Sequence, residues 1–160
     1  MASITIEYMI MVPILILQIF LFPLTASWLM NIWVDSRQSL SLHDAASHLG
    51  SVIQQLYFSL NHDSITTGTA TYKSDLPQFI ENHHYRGNAT LRIVLDPEMN
   101  SSKTLELTLK LVHTEIEATT RVILGPNALW KDSTFISNST EASISAEKFS
   151  NGSICLFFGE

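Results

Sequence analysis

Two periodicities divide this chain. From Tyr8 to Val34 there are 27 residues without Asp, Glu, Lys, Arg or His. A segment apolar on every side suits lipid or the interior of a helix bundle, and this one exceeds the roughly 20 residues that a membrane-spanning helix needs. From residue 36 the pattern changes. Leu42, Ala45, Ala46, Leu49, Val52, Ile53, Leu56 and Leu60 recur at steps of three and four, while Arg37, Gln38, Asp44, Gln54 and Gln55 fall off that stripe. The spacing predicts one helix from Ile4 to Leu60, apolar in its first half and amphipathic in its second. At 1.5 Å per residue it would run for roughly 85 Å, so the second half must leave a bilayer and pack against something else.

After Asn61 the period shortens. Asp63-Ser64 and Gly68 break the helix, and alternation at period two follows. Leu91, Ile93 and Leu95 face one way. Leu105, Leu107, Leu109 and Leu111 alternate with Glu106, Thr108 and Lys110 in the cleanest strand of the chain. Glu115 to Leu124 reads as a further strand. The stretches 96–102 and 125–127 read as loops, and residues 142–149 and 154–158 as a terminal hairpin around Asn151-Gly152, a pair that favours tight turns. The fold class expected is α+β: a long N-terminal membrane-spanning helix followed by a small antiparallel β domain of about six to eight strands. The organisation is residues 1–2 as a leader remnant, 3–34 as the transmembrane half, 35–62 as the amphipathic extension, and 63–160 as an extracellular β domain.

Charge supports that division. Residues 1–64 hold one basic residue, Arg37, and four acids, whereas residues 65–160 hold eight basic and eleven acidic residues. The net charge of -6 gives no basic patch for nucleic acid. A secretory signal fits poorly, because there is no basic n-region and the apolar run is too long for an h-region. The flanks of the span carry too few basic residues to set its orientation by the positive-inside rule. The sequons Asn88-Ala-Thr90, Asn100-Ser-Ser102, Asn138-Ser-Thr140 and Asn151-Gly-Ser153 favour a C-terminal domain outside the cell, in a setting that glycosylates.

Catalytic and metal-binding patterns do not emerge. His83-His84 on a strand would point to opposite faces, and His43 and His48 miss the i, i+4 spacing of a helical metal pair. There is no G-x-S-x-G and no glycine-rich phosphate loop. The single Cys155 cannot form an intrachain disulfide and reads as a small buried apolar residue. Trp28 and Trp33, near the end of the span, suit an interfacial aromatic belt or helix–helix packing. Trp130 reads as a loop residue, more often a core plug than an exposed binding anchor. No enzyme, metal or cofactor is expected.

Glu7 is the only charge before Asp35. A carboxylate at the head of an apolar helix is retained where it finds a partner. The run Ser3-Ile4-Thr5-Ile6-Glu7, with the span and amphipathic continuation behind it, resembles the type IV pilin superfamily, most closely the archaeal pilins and Tad-type pseudopilins. The resemblance covers roughly residues 2–60. Members keep a glutamate as the fifth residue of the processed chain, and cleavage between Ala2 and Ser3 would put Glu7 there. The family's leaders usually carry Lys or Arg just before the cut, where this sequence has Met1-Ala2. The resemblance implies that Glu7 pairs with the new N-terminal amine at Ser3 of a neighbouring subunit and sets the axial register. It also implies a prepilin peptidase, an assembly ATPase and a platform protein as partners, other pilin subunits as neighbours, and a cell-membrane precursor destined for an extracellular filament. Pro13 and Pro23 each remove a helix donor and are expected to kink or locally melt the span. The competing expectation is an uncleaved single-pass anchor bearing a β domain that binds a ligand or glycan, for which Glu7 would be dispensable.

Overall fold

The structure, a computed structural model, describes residues 2–93 and 102–159, with side chains from residue 9 onward. Helix α1 runs from Ala2 to Leu60, and eight strands follow: β1 (Gly68–Lys73), β2 (Tyr85–Ile93), β3 (Lys103–Leu111), β4 (Glu117–Leu124), β5 (Ala128–Trp130), β6 (Thr134–Ile136), β7 (Ser143–Lys148) and β8 (Ile154–Gly159). The chain is thus α+β, with a long N-terminal helix before a β domain. It divides into two units, residues 1–37 and residues 38–160. The amphipathic part of α1 therefore belongs to the same unit as the strands.

Helix residues 9–33 are exposed throughout. The change comes at Gln38. Leu42, Ala45, Ala46, Leu49, Val52, Ile53 and Leu60 are buried, as their spacing predicts, and Leu56 is half-buried. Two residues join the stripe that their polarity conceals. Gln38, one turn before Leu42, is buried with its amide donating to Glu81 Oε2 at 3.1 Å, and Tyr57 is buried in the last turns of α1.

The strands form two four-stranded sheets, ordered β1-β7-β8-β5 and β4-β3-β2-β6. All pairs are antiparallel except β5 with β8, which is parallel. The leucine ladder of β3 is the centre of the second sheet. Leu105, Leu107, Leu109 and Leu111 are all fully buried, each contributing about 1.5–3 kcal/mol of burial. The helix stripe and the inner faces of both sheets form one hydrophobic cluster. Aromatic rings join the sheets: Phe135 of β6 stacks on Tyr85 of β2 at 6.2 Å and meets Phe158 of β8 edge-on at 5.5 Å. Trp130 lies in β5 rather than in a loop, half-buried against Phe158 at 5.0 Å.

Helix and strands lock together through polar side chains as well. Asn127, in the loop after β4, accepts a hydrogen bond from the Tyr57 hydroxyl. Its amide donates to Asn61 Oδ1 and to the Gly152 carbonyl, both at 2.9 Å. One side chain thereby ties the end of α1 to the β7–β8 turn. A Cβ at Gly125 would collide with the Tyr57 hydroxyl, which explains glycine beside this clamp. Asn127→Ala is expected to destabilise the β domain by about 1–3 kcal/mol, because Tyr57 is left without its acceptor. Denaturant unfolding of the full chain in detergent measures it, and an unchanged midpoint would refute the clamp.

Tyr85 supplies a second internal anchor. Its hydroxyl donates to the Pro77 carbonyl at 2.9 Å, and burial pushes its phenol up to about 12. A phenol whose folded pKa lies above the unfolded 10.0 adds stability that is fully present below pH 10 and is lost as pH rises through the folded value. Unfolding at pH 8 and pH 11 is therefore expected to show an alkaline loss of stability that is smaller in Tyr85→Phe.

Three local readings change. Residues 142–149 and 154–158 do form a hairpin, but its turn has three residues. Gly152 N donates to Phe149 O at 2.9 Å and Phe149 N to Ser153 O at 2.9 Å, and Gly152 alone takes φ of 81°. This is a type I turn closed by a glycine bulge. His83-His84 do not lie on a strand. Ile80 and His83 exchange both backbone hydrogen bonds around Glu81 (φ 46°) and Asn82 (φ 70°), a tight two-residue turn. Cys155 is half-buried rather than buried, because Ile154, Leu156 and Phe158 take the core side of β8.

Candidate functional site

The feature that sets this chain apart from an ordinary β domain is the first unit. Its helix is long and apolar enough to cross a membrane. The chain stays helical through Pro13 and Pro23, so neither proline interrupts it as a melted segment. Pro23 still lacks an N–H, which leaves the Ile19 carbonyl without its helical donor. Two polar features follow. Thr25 Oγ1 donates back to the carbonyls of Leu21 and Phe22, both at 3.0 Å, so its hydroxyl is satisfied within the helix. The Arg37 guanidinium lies 5.7 Å from the Trp33 ring centroid. An arginine over an indole at the end of an apolar run suits the interfacial layer, where the ring meets headgroups and the charge meets water.

Ala2, Ser3 and Glu7 all lie within α1 by their backbone, and their side chains are outside the described ones. The helix begins before Glu7, so positions 3 and 7 are one turn apart on a continuous backbone.

The sequons differ in setting. Asn138 follows β6 in a turn and is exposed, and Asn151 is exposed at the tip of the β7–β8 hairpin. Asn151 Oδ1 accepts from the Ser153 backbone N–H and hydroxyl, so that sequon is already folded into a local turn. Asn88 sits mid-strand on the outer face of β2, accepting a hydrogen bond from Thr134 Oγ1 at 3.1 Å. It lines an open groove of about 370 Å³ with Arg86, Thr108, Lys110, His113 and Glu117. Asn100 lies outside the described residues.

Chemistry elsewhere is sparse. The described residues contain no group of three His, Cys, Asp or Glu that could hold a metal ion. Burial, with help from Glu147 and against Lys131, raises the Cys155 thiol. Burial likewise raises Tyr57, against a smaller opposing effect of the Gly125 backbone. The outer face of the second sheet carries Glu106 between Arg92 at 3.0 Å and Arg121 at 3.3 Å, an exposed cross-strand ion network. Sequence reasoning missed the Gln38–Glu81 contact and the Asn127 clamp. Neither carries a periodic signal; Gln38 could have been found only from its place one turn ahead of Leu42.

No protein-family model, no curated protein and no solved structure matches this chain.

Proposed function

We propose that this chain is a structural subunit, major or minor, of a type IV pilus-like surface filament. The observation that carries the reading is the build of α1. A span-length apolar helix with one carboxylate at its head continues without a break into a stripe that forms part of the β-domain core. An anchor alone needs neither the carboxylate nor a continuous helical link to the folded domain. A filament subunit needs both, because the helix must bring its register and its displayed domain into the fibre together. The Ser3-to-Glu7 run supplies the resemblance to archaeal pilins and Tad-type pseudopilins.

In this reading the helix holds the precursor in the cell membrane with residues 38–160 outside. A prepilin peptidase cuts between Ala2 and Ser3, and an assembly ATPase and a platform protein, partners implied by the resemblance, drive extraction. Apolar burial along residues 8–34 then replaces lipid with neighbouring helices, and the Glu7 carboxylate meets the Ser3 amine of an adjacent subunit. The exposed sequons at Asn138 and Asn151 suit a glycosylated outer surface.

The test is the intact mass and N-terminal sequence of the protein from native membranes and sheared surface material. A chain beginning at Ser3 in the sheared fraction is the expected result. A chain retaining Met1 or Ala2, confined to membranes, would replace this reading with a single-pass anchor for an external binding domain.

A further inference from the structure

Gln18 lies ten residues into the uncharged run and faces out from a helix whose side chains are all exposed there. No described residue bonds its amide. In hydrocarbon an amide without partners leaves two donors and one carbonyl unsatisfied, and there is no water to take them. Thr25 is seven residues on, close to two turns, and so shares its face. The two line one open groove with Ile19, Phe22 and Pro23. Pro23 has no N–H, so the carbonyl of Ile19, which also lines the groove, lacks its usual helical donor. This part of the span therefore combines an unpaired amide, a carbonyl without its helical donor and a recess in the helix surface. Asn31, thirteen residues after Gln18, falls roughly on the opposite side.

We infer that Gln18 is the centre of a self-association seam, and that the Gln18–Thr25 face docks on the same face of a second copy of this chain within the membrane. The occupant follows from the chemistry. A carboxamide is both donor and acceptor, so it is complementary to its own copy, and a lipid tail satisfies neither role. A two-fold contact between identical helices brings the two amides together, and the groove beside Pro23 receives the partner's Phe22. Interhelical amide bonds of this kind typically strengthen association in membranes by about 3- to 30-fold. The inference rests on the membrane placement used above and deepens the filament reading. It gives the subunit a pairing step that needs neither cleavage at Ser3 nor the Glu7 contact.

The experiment is sedimentation equilibrium of the full, unprocessed chain in density-matched detergent micelles, over a range of protein-to-detergent ratios. The wild-type chain is expected to dimerise reversibly. Gln18→Leu is expected to weaken the dimer by about 3- to 30-fold, Gln18→Asn to keep most of the association, and Asn31→Leu to leave it unchanged. Helix content by circular dichroism guards against a variant that fails to fold. A monomeric wild type, a Gln18→Leu protein that dimerises as wild type does, or an Asn31→Leu protein weakened equally would overturn the seam. The measurement uses no assembly machinery. A chain that dimerises through Gln18 yet never enters sheared filaments refutes the filament reading alone. A chain that starts at Ser3 in filaments while Gln18→Leu dimerises normally refutes the seam alone.

Discussion

Replacing Glu7 by leucine is expected to leave the protein in the membrane at normal abundance and to remove it from sheared filaments. The two halves of that result have separate physical origins. Membrane retention depends on the apolar run from Tyr8 to Val34, and a leucine at position 7 extends that run. In the proposed filament, incorporation would depend on matching a carboxylate with an amine at one axial position among packed helices. Removing one partner of a buried ion pair leaves the other charge uncompensated, at about 3–5 kcal/mol. That is on the order of a hundredfold or more in the equilibrium for adding a subunit. Glu7→Gln keeps the shape and hydrogen-bonding capacity but loses the charge, so it should incorporate poorly as well. Quantitative immunoblots of the membrane and sheared fractions read both halves at once. Normal incorporation of Glu7→Leu would remove the assembly role from this residue.

The second large effect belongs to the β domain. Phe135→Ala is expected to destabilise it by about 3–5 kcal/mol, a large part of the stability of a domain this size. Phe135 is almost fully buried and is the ring through which Tyr85 of one sheet reaches Phe158 of the other. Its strand, β6, has three residues and pairs only with β2, over Arg86 to Asn88, so little backbone bonding would hold β6 on its sheet without the ring. Gly87, opposite Phe135, has no side chain to fill the vacated space. Denaturant unfolding of the full chain in detergent, followed by the β-sheet signal in circular dichroism, should show the midpoint falling with an unchanged slope. A shift below 1 kcal/mol would mean that the sheets are joined chiefly by something other than these rings.

Much of this fold is legible in the residues, for reasons that also mark where legibility ends. The stripe from Leu42 to Leu60 and the ladder from Leu105 to Leu111 are readable because burial on one face imposes a period, and both elements are long enough to display it. Tyr57 and Gln38 belong to the same helix face yet escape a count of apolar residues, since each buries a polar group that finds a partner across the fold. The N-terminal limit of β2 is hidden because its core side is Tyr85, Gly87 and Ala89, whose small residues make room for Leu109 and Phe135. Strands β5 and β6 are three residues each and exist by virtue of β8 and β2; no local period can announce them. The parallel pairing of β5 with β8 is a matter of tertiary path and leaves no mark in either segment. In the candidate site, Glu7 is conspicuous as the lone charge of an apolar region. Gln18 is uncharged and passes as one tolerated polar residue until its face, its neighbour Pro23 and its lack of a partner are seen together.

With residues 38–160 outside the cell, as proposed, the unit boundary at Arg37 and Gln38 would bear on how the domain could be shed. A protease cutting between Val34 and Gln38 would release residues that retain the whole helical wall of the core, from Leu42 to Leu60, and with it a folded fragment. A cut after Leu49 would leave that wall half missing, exposing the leucines of β3 to water and to one another. In the proposed topology, release of the domain and its destruction are thus separated by little more than three turns of one helix.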